Sequence, residues 1–166
     1  MKHITVIITA ALTAFILASC GEAGTSRDCV SGSGRVIRDT VKTEDYVSVF
    51  LELPGNILFE KGDSRQTIIE TDNNLLDLIK IYTHSLTLMV NSDEFICPTK
   101  LNLHLTMPDF EQFAVRGAGN IENKEPFTAE RIETIVEGSG NINLNGIETD
   151  IFVSEISGSG DIFASG

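Results

Sequence analysis

The most informative stretch of the chain is Val136–Ile142, which reads Val-Glu-Gly-Ser-Gly-Asn-Ile. The same pattern occurs 21 residues earlier in Val115–Ile121 and 20 residues later in Ile156–Ile162. An aliphatic residue always lies two positions before the first glycine, and an isoleucine lies four positions after it. A period of about 20 residues with strand-like segments is typical of β-solenoids, whose turns bury their apolar positions by stacking. An isolated fourth copy, Val30–Val36, keeps the two glycines and both aliphatic positions but carries Arg35 in place of Asn or Asp.

The repeat predicts structural roles for its glycine and polar positions. In a stack of turns, a glycine either adopts positive φ at a corner or allows two backbones to approach closely. The Asn or Asp after each glycine pair is expected to join a side-chain ladder along the stack, in which Asp161 introduces a charge. The residues concerned are Gly117, Gly119, Asn120, Gly138, Gly140, Asn141, Gly158, Gly160 and Asp161.

The rest of the chain also favours strands. Residues 46–53 and 101–107 alternate apolar and polar side chains, which indicates strands with one buried face. Helical patterns are confined to two short ambiguous segments, 74–81 and 128–135. We therefore predict an all-β, β-solenoid-like domain over residues 30–166.

The N-terminus predicts export with a lipid anchor. An uncharged run over residues 4–17 has the length of a signal-peptide core and is too short to span a bilayer. It ends in Leu-Ala-Ser-Cys at 17–20, which resembles a bacterial lipobox. We expect a signal peptide over 1–19, a lipidated tether over 20–29, and membrane anchoring through lipid on Cys20. The alternative is an ordinary signal peptide whose cysteine carries no lipid.

The residue after Cys20 bears on the target membrane. An aspartate after the lipidated cysteine resembles an inner-membrane retention signal in proteobacteria, and this chain has Gly21 instead. If those sorting rules apply, we expect an outer-membrane lipoprotein, on either the periplasmic or the surface face.

Besides Cys20, the mature chain contains two cysteines, Cys29 and Cys97. An exported protein meets an oxidising compartment in which a disulfide between them can persist, and two separate thiols are the alternative. His84 and His104 lie at no recognisable zinc-ligand spacing from them. We therefore expect no metal site and no cofactor.

The charge balance excludes some partners. The chain has 24 acidic against 12 basic residues and a net charge of −12. Binding to nucleic acid or to anionic lipid needs clustered Lys and Arg, so neither is expected as a partner. The glycine motifs do not continue into a P-loop, and one Asp in three copies is too sparse for a calcium β-roll. No catalytic constellation stands out, and we predict that the protein is not an enzyme.

A family resemblance accumulates on these motifs. The repeats Val136–Ile142 and Ile156–Ile162, behind Leu53–Ile57 and Ile69–Leu75, resemble the putative auto-transporter adhesin, head GIN domain family. The resemblance covers about Val36 to Gly166 and implies an exported, often lipid-anchored bacterial protein with a right-handed parallel β-helix-like domain. It implies adhesion and names no site residue. Family members usually continue beyond the last motif, so the chain is either a fragment or is covered there by a partner or a second copy.

Three functions remain open at this point. The prediction is a non-catalytic adhesion or binding module with a glycan or protein ligand. The first alternative is a structural envelope protein that forms a homo-oligomer through its solenoid end. The second is a glycan-active β-helix enzyme, for which Glu122, Glu137 and Asp161 are the carboxylates to test.

Overall fold

The computed structural model describes residues 28–166. The predicted signal peptide, Cys20 and nearly all of the predicted tether lie outside them. Strands make up 61% of the described residues, and no α-helix occurs among them. The all-β prediction is therefore confirmed. Nothing helical between residues 28 and 166 is long and apolar enough to cross a bilayer.

Between residues 28 and 166 the chain forms fifteen strands and a single-turn 3-10 helix at Leu76–Leu78. The strands are β1 Val30–Ser31, β2 Val36–Val41, β3 Ser48–Leu51, β4 Asn56–Lys61, β5 Gln66–Asp72, β6 Lys80–His84, β7 Thr87–Asn91, β8 Ile96–Cys97, β9 Leu101–Met107, β10 Gln112–Gly117, β11 Asn120–Asn123, β12 Phe127–Gly138, β13 Asn141–Leu144, β14 Ile147–Gly158 and β15 Ile162–Ala164. Of the two ambiguous segments, 74–81 contains the 3-10 helix, whereas 128–135 lies within β12.

The strands form two large mixed sheets. One has six strands in the order β14-β12-β10-β3-β7-β6, and the other has seven in the order β15-β13-β11-β4-β9-β5-β2. Strand β1 pairs with β8 as a separate two-stranded sheet. Pairing is parallel except at one end, where β6 joins β7, β5 joins β9 and β2 joins β5 antiparallel. Neither large sheet closes into a barrel.

The parallel strands stack as five layers, each with one strand from each sheet. Their order is β7 with β9, β3 with β4, β10 with β11, β12 with β13, and β14 with β15. This is not chain order, because the layer of β3 and β4 lies between β7/β9 and β10/β11. After β4 the chain continues as β5, which pairs on the far side of β9. Residues 48–61 are therefore covered by a layer on each side.

Aligned apolar columns form the core between the two sheets. The strand registers place aliphatic residues directly over one another at two positions, and these side chains are buried except in the β14/β15 layer. Burying each one contributes about 1.5–3 kcal/mol. The first column is Val90, Leu51, Val115, Val136 and Ile156. The second is Leu103, Ile57, Ile121, Ile142 and Ile162.

The early fourth copy of the motif does not join this stack. Its first two residues, Val30 and Ser31, form β1 beside β8, and its last residue, Val36, begins β2, which pairs antiparallel with β5. Its glycines instead surround Asp72: the N–H of Gly34 donates to Oδ1 at 2.7 Å, and a Cβ added to Gly32 would lie 2.3 Å from Oδ2. Here the glycines allow the backbone to approach a carboxylate.

Candidate binding groove

Each of the three stacked Gly-x-Gly units forms the corner between the two strands of its layer, and its two glycines have different roles. The first glycine has positive φ, +103° at Gly117, +127° at Gly138 and +145° at Gly158. The second allows close stacking, since a Cβ added to Gly140 would lie 2.2 Å from the carbonyl oxygen of Gly119. Both predicted uses of glycine therefore occur, at separate positions of the motif.

The second and third corners each hold a carbonyl oxygen of the preceding layer. The oxygen of Gly117 accepts hydrogen bonds from the N–H groups of Ser139 and Gly140, both at 2.8 Å. The oxygen of Gly138 accepts from Ser159 at 2.7 Å and from Gly160 at 3.0 Å. Two adjacent N–H groups converging on one oxygen form a small concave donor site, of the type that binds anions and oxygen acceptors in proteins.

The polar positions after the corners form a hydrogen-bonded ladder with five members. Asn56 donates to Asn102 at 3.1 Å, Asn120 to Asn56 at 3.0 Å and Asn141 to Asn120 at 2.9 Å, each through its side-chain amide. The backbone N–H of Asp161 donates to the Oδ1 of Asn141 at 3.0 Å. Sequence reasoning placed Asn120, Asn141 and Asp161 in a ladder but missed Asn56 and Asn102. The run Gly55-Asn56-Ile57 carried a signal, whereas Asn102 has no glycine before it.

A groove of about 840 Å³ lies between these corners and the loop over residues 92–98. The corner residues Gly117, Ala118, Gly138 and Ser139 line one side, which we call the floor. The loop supplies Phe95, whose side chain is 57% exposed. The lining residues are Glu52, Leu53, Pro54, Ser92, Asp93, Glu94, Phe95, Ile96, Cys97, Pro98, Gly117, Ala118, Gly138 and Ser139.

The loop that walls the groove is bonded to the N-terminal arm. Cys29 and Cys97, which the sequence left open as a pair or as separate thiols, form a disulfide. The N–H of Val30 donates to the oxygen of Phe95 at 2.8 Å, and that of Gly32 donates to the oxygen of Cys97 at 2.9 Å. The wall is thus held by one covalent bond and by strand pairing.

Asp72 strengthens the same attachment from inside the domain. Its carboxylate is fully buried and accepts hydrogen bonds from the Thr99 hydroxyl at 2.6 Å, the Thr99 N–H at 2.8 Å and the Gly34 N–H. The Thr99 hydroxyl is the main reason that the pKa of Asp72 lies below its ordinary value, because its hydrogen bond, with those of the backbone, outweighs the effect of burial. One ionised carboxylate therefore joins the arm to the chain that follows the groove loop.

A charged cluster borders the groove on the six-stranded sheet. The guanidinium of Arg116 contacts Glu137 at 2.7 Å and Glu52 at 3.0 Å, and lies 5.0 Å from the centre of the Phe50 ring. Glu137, and after it Glu52, raises the pKa of Arg116. Among residues 28–166 no lysine or arginine lines the groove itself, where Glu52, Asp93 and Glu94 supply the charges.

The three carboxylates named above as candidates for glycan hydrolysis do not share one site. Glu137 belongs to the Arg116 cluster on the six-stranded sheet, whereas Glu122 lies on β11 of the seven-stranded sheet. Asp161 lies at the end of the ladder. His104 is 3.6 Å from a carboxylate oxygen of Glu70. Within residues 28–166 no three His, Cys, Asp or Glu side chains form a group suited to a metal ion.

A family model described as "Putative auto-transporter adhesin, head GIN domain" matches residues 45–166. The chain belongs to this family. The matched region contains the five layers, the groove floor and the ladder, so these features lie within the head GIN domain. The resemblance noted from the sequence is confirmed, and no curated protein matches the chain.

Solved structures with the same fold come from Parabacteroides. A putative lipid binding protein from Parabacteroides distasonis ATCC 8503 aligns with a TM-score of 0.71 at 18% identity, over 81% of this chain and 68% of that one. A putative adhesin from the same strain aligns with a TM-score of 0.64 at 19% identity, over 81% and 67%. A putative adhesin from Parabacteroides merdae ATCC 43184 gives 0.63 at 19% identity, over 81% and 66%. At these identities the likeness concerns the fold alone, and this chain spans about two thirds of each structure.

Proposed function

We propose that this protein is a non-catalytic binding module of the bacterial cell envelope that acts in adhesion, with a glycan or a protein as ligand. The observation that carries the proposal is the groove of about 840 Å³, whose wall is fixed by the Cys29–Cys97 disulfide. A groove of this size fits within the range of small-ligand and side-chain sites. Membership of a family described as adhesins supports adhesion.

The ion pairs that two carboxylates form beside the groove support binding rather than hydrolysis. Glycoside hydrolysis needs two carboxyl groups that flank one bond, with one of them free to exchange a proton. Glu52 and Glu137 both contact the guanidinium of Arg116. Neither carboxylate can therefore flank a glycosidic bond without first breaking its ion pair with Arg116.

An assay on intact cells tests the function. The mature chain, applied to bacterial or host cells and to a glycan array, is expected to bind at least one of these surfaces. Ala118→Trp, which fills the groove, should abolish the binding, while Thr128→Trp, at an exposed position of β12, should leave it unchanged. Failure of the wild-type chain to bind any cell or glycan surface would contradict the proposal, as would equal binding by both variants.

The anchoring part of the proposal concerns Cys20. We propose that lipid on this cysteine holds the protein in the outer membrane, and the support is the lipobox at 17–20. Several acyl chains hold firmly because each buried methylene contributes about 0.8 kcal/mol. Cells fed a labelled fatty acid should label the wild type and not Cys20→Ala. Labelling that survives the substitution would rule out the anchor.

The finer description of the fold is also a proposal. We infer that the layers wind as a right-handed parallel β-helix, supported by parallel, in-register pairing at a spacing of 20 or 21 residues. Crossovers between parallel strands are right-handed in nearly all proteins. A crystal structure of the domain with left-handed crossovers would contradict it.

A second candidate function has one observation in its favour. Among residues 28–166 strand β14 pairs with one other strand, β12, and apolar side chains in its layer are exposed: Ile151, Phe152, Val153, Ile156 and Phe163. A free edge of this kind can pair with another chain. A structural role through self-association predicts concentration-dependent sedimentation that Val153→Lys abolishes. A monomer at all concentrations would exclude it.

A further inference from the structure

We propose that the N–H groups of Ala118 and Gly119 bind a peptide carbonyl oxygen, and that the groove takes an extended, basic segment of a partner protein. This inference rests on the proposed binding function and specifies its ligand.

The molecule itself shows what such a corner binds. The N–H groups of Ser139 and Gly140 converge on the carbonyl oxygen of Gly117, and the next corner repeats this arrangement with the oxygen of Gly138. Gly117 and Gly138 are aligned in the parallel register of β10 and β12, so the corners that follow them are equivalent. The ligand of each equivalent corner is therefore a main-chain oxygen from an extended segment.

The first corner has the same donors without a protein acceptor. Ala118 and Gly119 lie between β10 and β11, and within residues 28–166 their N–H groups donate to no backbone or side-chain oxygen. Gly119 is nevertheless buried. The preceding layer causes the difference, because it turns through Leu53-Pro54-Gly55, and the N–H of Gly55 donates to the oxygen of Leu53 instead. A buried N–H without an acceptor is uncommon and costs stability, so an oxygen offered by a ligand would be bound favourably.

The space in front of Gly117, at the first corner, is open. A Cβ built on Gly138 would lie 2.7 Å from the oxygen of Gly117, and one built on Gly158 would lie 2.2 Å from the oxygen of Gly138. The same construction on Gly117 meets no atom within 4 Å. The position beside the first glycine, where a carbonyl oxygen lies at the other corners, is thus unfilled at the first one. The oxygen of Leu53 lies instead against Gly119, 2.6 Å from a Cβ built there. Gly117 and Ala118 both line the groove, which gives a ligand access to it.

The charges of the groove favour a basic peptide. A carboxylate or phosphate entering it would approach Glu52, Asp93 and Glu94, and like charges in a narrow groove repel. A peptide carbonyl carries no net charge, and a neighbouring Lys or Arg of the same peptide would face these acids. Within residues 28–166 Glu94 forms no ion pair, whereas Asp93 pairs with Lys80 and Glu52 with Arg116, so Glu94 is the acid that a basic residue of the peptide would contact without displacing another cation. The exposed ring of Phe95 offers an apolar contact beside them.

A titration with short capped peptides tests the inference. Basic, neutral and acidic peptide libraries are added to the isotopically labelled mature chain, and binding is followed by NMR and fluorescence. Basic peptides are expected to bind, and the amide resonances of Ala118 and Gly119 should shift most. Those of Ser139 and Gly140 should hardly move, because their protons are already bound. Binding without a shift at Ala118 and Gly119, or a preference for acidic peptides, would overturn the inference.

Matched proline variants separate binding from folding. Ala118→Pro removes an N–H that has no protein acceptor, so it should weaken peptide binding about tenfold with little change in the melting temperature. Ser139→Pro removes an N–H bonded to Gly117 and should lower the melting temperature.

If Ala118→Pro also unfolds the chain, Glu94→Lys takes its place and should reverse the preference for basic peptides; an unchanged preference would count against the inference. Glycan binding that Ala118→Trp blocks, with no peptide binding, would overturn the peptide ligand and leave the proposed function standing. Absence of binding to peptides, glycans and cells would overturn both.

Discussion

The side-chain amide of Asn141 donates a hydrogen bond to the side-chain oxygen of Asn120 at 2.9 Å. Asn120 in turn donates to Asn56, and Asn56 to Asn102, so every amide in the ladder points the same way along the stack. A member in the middle both donates and accepts. Its removal therefore affects two hydrogen bonds, so the contribution of the ladder to stability can be measured with a single substitution.

Asn120→Ala should lower the free energy of unfolding by about 1–2 kcal/mol, because Asn56 and Asn141 each lose a partner while partial exposure lets water replace some of the loss. Urea denaturation measures the change. Asn143→Ala is the control, since this residue lies on the adjacent strand β13 at the same level of exposure and should change stability by less than about 0.5 kcal/mol. Equal losses in the two variants would show that the ladder contributes nothing specific.

Gly140→Ala should destabilise the domain by about 3 kcal/mol, because the new Cβ would lie 2.2 Å from the oxygen of Gly119 and 2.5 Å from a methyl carbon of Val115. Gly34→Ala separates this clash from backbone strain, since Gly34 has a φ of +75° and open space around it. That variant should cost only about 1–2 kcal/mol. Thermal and urea unfolding compare the two, and a smaller loss for Gly140→Ala would be inconsistent with tight stacking at the corners.

Loss of the Cys29–Cys97 disulfide should lower stability by about 4 kcal/mol, because the bond closes a loop with a sequence separation of 68 residues. The double variant Cys29→Ser/Cys97→Ser and the reduced wild type should unfold at the same denaturant concentration, below that of the oxidised wild type. Addition of a reductant to the double variant provides the control and should change nothing. If reduction leaves the wild-type midpoint in place, the bond does not stabilise the domain.

Asp72 should make the domain sensitive to acid. Its pKa is lower in the folded chain than its ordinary value, so its ionised form stabilises the fold at pH values above about 4, and this contribution is lost as the pH falls through the lower folded pKa. Asp72→Asn should be less stable than the wild type at neutral pH, and the difference should shrink as the pH falls below about 4. Unfolding midpoints between neutral and acidic pH measure this, with Asp77→Asn as the control on an exposed carboxylate. A difference that does not change with pH would contradict the assignment.

Much of the fold follows from the spacing of a few residue types. The apolar positions around Gly117, Gly138 and Gly158 recur every 20 or 21 residues, and the structure stacks them in the predicted register. Local alternation also identified the strands at 48–51 and 101–107. The stacked segments share the same local pattern, so the repeat in the sequence is enough to predict which residues contact one another.

The candidate site was much less accessible to sequence reasoning. In the structure the ladder also includes Asn56 and Asn102, whose sequence neighbours differ from those of Asn120. The fourth motif copy surrounds Asp72 instead of joining the stack. The groove combines the corner at Ala118 with a loop that follows β7, and no local pattern connects the two. Their proximity depends on pairing between strands that are distant along the chain.

The amino-acid pattern alone is sufficient for the all-β class, the period of the repeat and the different treatment of glycine and asparagine, because each of these reflects a local steric or hydrogen-bonding need. The layer order depends on the assembled chain. Any strand with a matching length and apolar face can form the backbone hydrogen bonds of a sheet edge, whatever its distance in sequence. Strands β3 and β4 therefore pair with β10 and β11 on one side and with β7 and β9 on the other. That arrangement places the turn at Leu53-Pro54-Gly55 beneath the corner at Ala118, which lines the groove. Within residues 28–166 the N–H groups of Ala118 and Gly119 then have no protein acceptor.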